Sequence, residues 1–296
     1  MKVDLVITGM HRSGTTWMGR AIDALPIYGV VHEPFNVDHG VRDVPNWYLD
    51  HRRDKDTKFA LKVVSEIENG TANFRWTPKW KNPVRSFGTL VLGTRAARHF
   101  RQVVRSGVEK LAIKDPFLLM MVPEIQRQGV KTIVSVRHPG AILLSLRRLS
   151  WPIPTEHLWG RDPAGAIRAR EHGDIAAICA FWNGVYLPVL DLLRKGSGES
   201  IFIANHEEMF NDIEELEETL RRFLEIGTAF PEFSSFLRNS TSGETVNPSH
   251  KKLHDFSRNS SELAKSWKKS FSTEEIRYFD DNVGEAFETL NSWKNG

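Results

Sequence analysis

Thr8-Gly-Met-His-Arg-Ser-Gly-Thr-Thr-Trp-Met18 decides how the rest of the chain is read. Gly9 and Gly14 have the separation of the two glycines in the phosphate-loop pattern G-x-x-x-x-G-K-[ST]. The lysine slot, however, holds Thr15, and the cation of the loop is Arg12, ahead of the second glycine. Val3–Thr8 upstream is a short β-branched run that predicts a strand. Downstream, Trp17, Met18, Ala21, Ile22 and Leu25 recur at helical spacing. Strand, glycine loop and helix in that order make an anion site, because a helix N-terminus turns free N–H groups and its positive dipole end toward the loop.

Nucleoside triphosphatases use the missing lysine on the β- and γ-phosphates, and Ser/Thr on Mg²⁺. The nearest strand ending in a metal-binding acid is Leu111-Ala-Ile-Lys-Asp115, where Lys114 is a poor neighbour for a cation site. An arginine fork with backbone amides suits the oxygen pair of a sulfuryl or phosphoryl group instead.

Further strands are predicted at 28–31, 110–114, 132–137 and 200–204, and helices at about 90–106, 117–128, 139–149 and 164–193. Strands alternating with helices imply an α/β fold with a mainly parallel central sheet, flanking helices and helical insertions. The last third reads as more helical. Residues 212–225 carry Ile213, Leu216, Leu220, Phe223 and Leu224 on one face. Ser272 with Glu275 forms a capping box ahead of Ile276, Phe279, Val283, Phe287 and Leu290. Residues 239–261, rich in Ser, Asn, Thr and Lys, read as a long loop. Without an internal repeat or clear linker, the expectation is one domain over 1–296.

Composition narrows the classes. The 296 residues are 40% hydrophobic and 26% charged, which is ordinary for a globular protein that buries a sizeable core. A net charge of +3 fits a small anionic ligand and does not argue for nucleic acid. The single cysteine, Cys179, allows neither an internal disulfide nor a cysteine zinc site, and its apolar neighbours make it a buried structural thiol. No apolar run of about 18 residues is seen, so no membrane span is expected. A signal peptide is not expected either, because Asp4 interrupts the N-terminal run. A cytoplasmic setting fits these features.

Five motifs in order give the chain a resemblance to the PAPS-dependent sulfotransferase family, whose donor is 3′-phosphoadenylyl sulfate. Arg12–Trp17, "RSGTTW", resembles the loop holding the 5′-phosphosulfate through Arg12, Ser13, Gly14, Thr15 and Thr16. Val136–Leu146, "VRHPGAILLSL", resembles the segment that binds the 3′-phosphate through Arg137 and Ser145. His32–Pro34, "HEP", is similar to the Glu-containing element after the first helix in the carbohydrate and tyrosylprotein branches, and Ile113–Phe117, "IKDPF", is similar to a tyrosylprotein sulfotransferase motif containing a catalytic lysine. Glu262–Ile276 resembles a late Trp-containing stretch. The resemblance implies PAPS as donor substrate, adenosine 3′,5′-bisphosphate (PAP) as product, and no metal. It leaves the acceptor as a small molecule or a glycan. The sequence departs from the cytosolic small-molecule branch, which has a lysine at the place of Arg12 and a histidine after the lysine equivalent to Lys114. His206-Glu207-Glu208 stands where the family often has Tyr-Glu-Asp.

Within that frame Glu33, after a strand end where an open sheet places its crevice, is the candidate base for an acceptor hydroxyl, with His32 the second choice. Lys114 is the candidate cation for charge on the leaving oxygen. Asp115 orients Lys114 or caps the next helix, and capping is the simpler account. Trp17 stacks on adenine or fills the core, and both readings stand. The Trp-rich segments 72–86 (with Arg75, Trp76, Lys79, Trp80, Lys81 and Arg85) and 150–160 either grip an acceptor or anchor loops. Lys251 and Arg258 are weaker donor contacts. A P-loop kinase or NTPase, and a non-catalytic nucleotide-binding protein on the same fold, stay open as alternatives.

Overall fold

The computed structural model describes residues 1–75, 94–155, 173–227, 229–240 and 266–295. Trp76, Lys79, Trp80, Lys81, Arg85, Lys251 and Arg258, with most of the loop predicted over 239–261, lie outside the described residues.

Five strands form one sheet: β1 (Lys2–Gly9), β2 (Tyr28–His32), β3 (Lys110–Lys114), β4 (Lys131–Val136) and β5 (Ile201–Asn205). Their order is β2-β3-β1-β4-β5, and every pairing is parallel. All the strand C-termini therefore lie along one edge, the edge where an α/β sheet presents its ligand crevice. The α/β expectation is met, with the predicted strands displaced by a residue or so at their ends.

Period-two alternation sorts the strand residues between the two faces. Leu5, Ile7, Val30, Ala112, Ile133, Phe202 and Ala204 pack with α1 (Thr15–Asp23), and with the later helices Ile213–Phe223 and Pro231–Asn239. On the other face Val6, Val31, Leu111 and Ile113 meet α2 (Asp54–Glu68) and α3 (Arg95–Ser106). Val3 joins Val6 on that face although their odd spacing of three positions would put them on opposite faces. The register of β1 slips between Val3 and Leu5, and such a slip reverses the side on which a residue points.

The predicted single helix over 117–128 is in fact two pieces. A 3₁₀ turn over Pro116–Met121 precedes α4 (Val122–Arg127). Pro123 has no N–H with which to join a continuous α-ladder, so an α-helix starts around it instead of running through it. After β4 come α5 (Pro139–Leu149) and α6 (Gly173–Arg194), then β5, α7 (Ile213–Phe223), α8 (Pro231–Asn239), a 3₁₀ turn at Ser266–Ser270, and α9 (Thr273–Asn291). The Ser272–Glu275 capping box is present with both of its hydrogen bonds. Helices α2 and α8 were not anticipated. Helix α6 corrects the expectation that no stretch of about 18 residues is sufficiently apolar, because by length and composition alone it could cross a membrane, which does not establish a span. In the structure its Trp182, Val185, Tyr186 and Val189 are buried in a core cluster with residues of β4, α5 and α9. Cys179 on the same helix is buried, and burial raises its thiol to about 12, as a structural cysteine requires.

Candidate active site

The strand order sets the layout of the site before any side chain is considered. The glycine loop follows the central β1. Glu33, after β2, and Lys114, the last residue of β3, lie to one side of it, and Arg137 and His206, after β4 and β5, lie to the other.

The loop itself is built on unusual backbone. Arg12 has φ 73°, and Gly9 and Gly14 have φ 150° and 105°. A Cβ on Gly9 would come within 2.4 Å of the Ser135 carbonyl oxygen, and one on Gly14 within 2.7 Å of the His206 ring. Gly9→Ala is expected to cost roughly 2 kcal/mol or more, from a disfavoured φ together with a backbone clash. A thermal melt lowered by about 4 °C or more would register it. From below, Met10 N donates to the Tyr186 hydroxyl at 3.0 Å, and that hydroxyl donates to Ser135 O at 2.7 Å. His11 N donates to the Tyr48 hydroxyl at 3.2 Å. The amides of Trp17 and Met18 both reach Gly14 O, so the first-turn amides of Thr15 and Thr16 are the orphan donors of α1. Burial, then Arg12, lowers His11 to about 4, so the loop keeps a neutral imidazole beside its cation.

To the β4 side, Arg12 Nε donates to Ser145 Oγ at 2.9 Å, and Arg137 Nη1 donates to Arg12 O at 3.1 Å. The predicted loop cation and the predicted Arg137–Ser145 pair are thus one cluster. Ser145 uses its hydroxyl across to the loop instead of backward within α5. Burial, opposed by Glu207 and reinforced by Arg12 and Arg148, lowers the Arg137 guanidinium to about 10. Its Nε is buried and has no partner among the described residues. Thr8 Oγ1, Ser135 Oγ, Asn205 Nδ2 and His206 Nδ1 are buried polar atoms without partners in the same strand-end region. Several orphaned polar groups at one edge are costly for a folded chain and mark a place made for a polar ligand.

His206 and Glu207 were underrated by the sequence reading, which saw only a departure from a family motif. They follow the end of β5, and that placement was the usable signal. His206 packs against Gly14, and Glu207 accepts from His138 N at 3.4 Å. Burial raises the Glu207 carboxyl to about 7 against the pull of that amide and of Arg137. The late tryptophan stretch docks here too, with Trp267 stacked on His138 at 3.8 Å. Gly140 permits the contact, since a Cβ there would sit 2.6 Å from the Trp267 ring.

On the β3 side Lys114 Nζ meets Glu33 Oε1 at 2.5 Å, and Asn36 Nδ2 donates to Glu33 Oε2 at 2.9 Å. The lysine side chain is 2% exposed and the glutamate 35%. Burial raises the Glu33 carboxyl, but the charge and hydrogen bond of Lys114, with Asn36, outweigh it and leave Glu33 below its ordinary value. Gly19 lets α1 lie against the stem of Lys114, where a Cβ would come within 2.7 Å. Asp115 caps the 3₁₀ turn through Phe117 N at 2.9 Å and also accepts from Phe35 N at 2.6 Å. It is buried and raised to about 7, mainly by burial and then by Glu33.

Other candidates lie elsewhere. Trp17 is buried in the core, edge-on to Phe210, with its Nε1 donating to Ser240 Oγ at 2.9 Å. His32 turns to His99 on α3, with ring centroids 5.1 Å apart, and burial lowers it to about 4. Trp151 is 43% exposed, and the Arg12 guanidinium lies 5.9 Å from its ring centre.

The sulfotransferase domain family matches residues 2–291. Among solved structures, a mouse sulfotransferase complexed with PAP is 14% identical, with 99% of this chain and 90% of that chain covered and a TM-score of 0.49. The sulfotransferase domain of the Synechococcus PCC 7002 olefin synthase is 16% identical, with 95% and 94% covered and a TM-score of 0.46. A sulfotransferase from Mycobacterium avium is 12% identical, with 100% and 78% covered and a TM-score of 0.49. No curated protein matches the sequence. With the family match running over nearly its whole length, the chain belongs to the sulfotransferase domain family, the PAPS-dependent transferases that its motifs resemble.

Proposed function

We propose that the chain transfers the sulfuryl group of PAPS to a hydroxyl of a carbohydrate or another small hydroxylated molecule, releasing PAP. One observation supports this most: the buried, partly unpartnered guanidinium of Arg137, joined through the Arg12 backbone to the Arg12–Ser145 pair. A buried cation is costly unless an anion meets it, and the carboxylate acting on it, Glu207, is itself pushed toward neutrality. An anion at Arg137 and a second one at the α1 N-terminus give a donor two points of attachment, which fixes its reacting end.

In this scheme the acceptor oxygen attacks sulfur as the bond from sulfur to the phosphate oxygen breaks. The hydroxyl proton goes to Glu33, and the electron pair of the broken bond goes to the departing oxygen. Arg12, Lys114 and the loop amides bear on the charge that develops there. The Lys114–Glu33 salt bridge adds a coupling. Lys114 drawn toward the departing oxygen leaves Glu33 without its counter-charge, so the base strengthens as the leaving group needs its cation.

Incubation with sulfur-labelled PAPS and a panel of glycans and small alcohols or phenols tests the scheme, with mass spectrometry locating the added sulfuryl group. The expected result is labelled ester and, by calorimetry without magnesium, uptake of PAP. Absence of heat with PAP together with tight magnesium-dependent binding of ATP would restore the kinase or NTPase alternative.

A further inference from the structure

Away from the loop, Asp23 at the end of α1, His32 at the end of β2 and His99 on α3 converge. One ligand-type atom from each side chain lies within 4.8 Å of the other two. We propose that these three residues form a binding site for a first-row divalent cation of the zinc class, separate from the transfer chemistry.

Three observations carry this. The side chains come from three different elements, so their meeting is a product of tertiary packing and not of local sequence. Among the described residues none of the three side chains has a hydrogen bond or ion pair, and the two imidazoles meet edge-on with centroids 5.1 Å apart. Two ring nitrogens and one carboxylate oxygen also form a donor set that zinc takes with an open fourth position, whereas magnesium and calcium prefer all-oxygen sites. Ligand atoms on a tetrahedral zinc lie about 3.4 Å apart. Asp23 is exposed and His99 partly so, which leaves both free to rotate the short distance inward. The cations that act on the cluster are Arg20, one turn before Asp23, and Lys114, which is paired with Glu33. A bound cation would tie α3 and α1 to the edge strand β2, which Glu33 directly follows.

Titration of the chelator-treated full chain with ZnCl₂, followed by calorimetry and by metal analysis after desalting, tests the site. One equivalent bound at micromolar affinity or tighter is expected, with no comparable uptake of Mg²⁺. His99→Ala and Asp23→Asn should each weaken zinc binding by about tenfold or more, since even loss of an outer partner of a metal ligand costs that much. His39→Ala, which removes an exposed histidine elsewhere, should leave it unchanged. His99→Gln replaces His99→Ala if the alanine variant does not fold by circular dichroism. No stoichiometric uptake by the parent chain, or uptake that both ligand variants retain within tenfold, overturns the proposal. These readouts are independent of sulfuryl transfer, so failure here and failure of the proposed activity are separable.

Discussion

Glu33→Gln is expected to lower the rate of sulfuryl transfer by about two to four orders of magnitude, the usual contribution of a positioned general base. Affinity for PAP should stay within a few fold. The amide keeps the size of the side chain and keeps an oxygen for Lys114, so the loop and the β4 side are not disturbed. Glu33→Ala is the informative contrast. It leaves the Lys114 ammonium, 2% exposed, with neither counter-charge nor acceptor oxygen, whereas glutamine removes the charge alone. Orphaning one member of a buried pair costs several kcal/mol; because the Glu33 side chain is 35% exposed, a value near the low end, about 3 kcal/mol, is expected. In a chain of this size that is a melting loss of about 6 °C. A dead Glu33→Gln enzyme that melts above an equally dead Glu33→Ala enzyme separates chemistry from folding. Single-turnover transfer from labelled PAPS, PAP calorimetry and thermal melts make the comparison. A Glu33→Gln enzyme that turns over normally removes Glu33 as the base.

What the sequence disclosed follows from the range of the forces involved. Parallel strands buried on both faces announce themselves as short β-branched runs, and the glycine loop is a local solution to a local problem. Both were legible from neighbouring residues. The capping box at Ser272 is equally local, and both of its bonds are present. The α2 helix was missed even though Ala60, Val63 and Ile67 have helical spacing, because no cap or glycine marks its start. Long-range contacts were not legible. Ser145 meeting Arg12, Trp267 lying on His138, and Trp17 packed edge-on to Phe210 depend on the order of strands in the sheet. That order follows from packing over the whole chain. The burial of Lys114 was likewise invisible, since a strand-end lysine looks exposed until α1, with Gly19, is laid over its stem. The pairing of Glu33 with Lys114 changes what either residue means: the sequence offered a base and a cation, and the structure joins them in one ion pair.

Arg137→Ala should weaken PAP by about a hundredfold, which is roughly 3 kcal/mol for a charge-assisted contact to phosphate, and scarcely affect adenosine 5′-phosphosulfate, which lacks the 3′-phosphate. The asymmetry is the test, because Arg137 has two connections. Its Nη1 holds the Arg12 carbonyl at 3.1 Å, so removal of the side chain also loosens the loop. Loosening the loop would weaken both nucleotides alike, since both carry the 5′ group. Loss of a direct 3′-phosphate contact weakens only the ligand that has one. Arg137→Lys divides the effect further. A lysine keeps the charge but gives up the fork that reaches the loop and a ligand together, so intermediate PAP affinity is expected. Calorimetry of both nucleotides on the three proteins decides the matter. Equal losses would make Arg137 a support for Arg12, and the 3′-phosphate would then need another cation at this edge of the sheet.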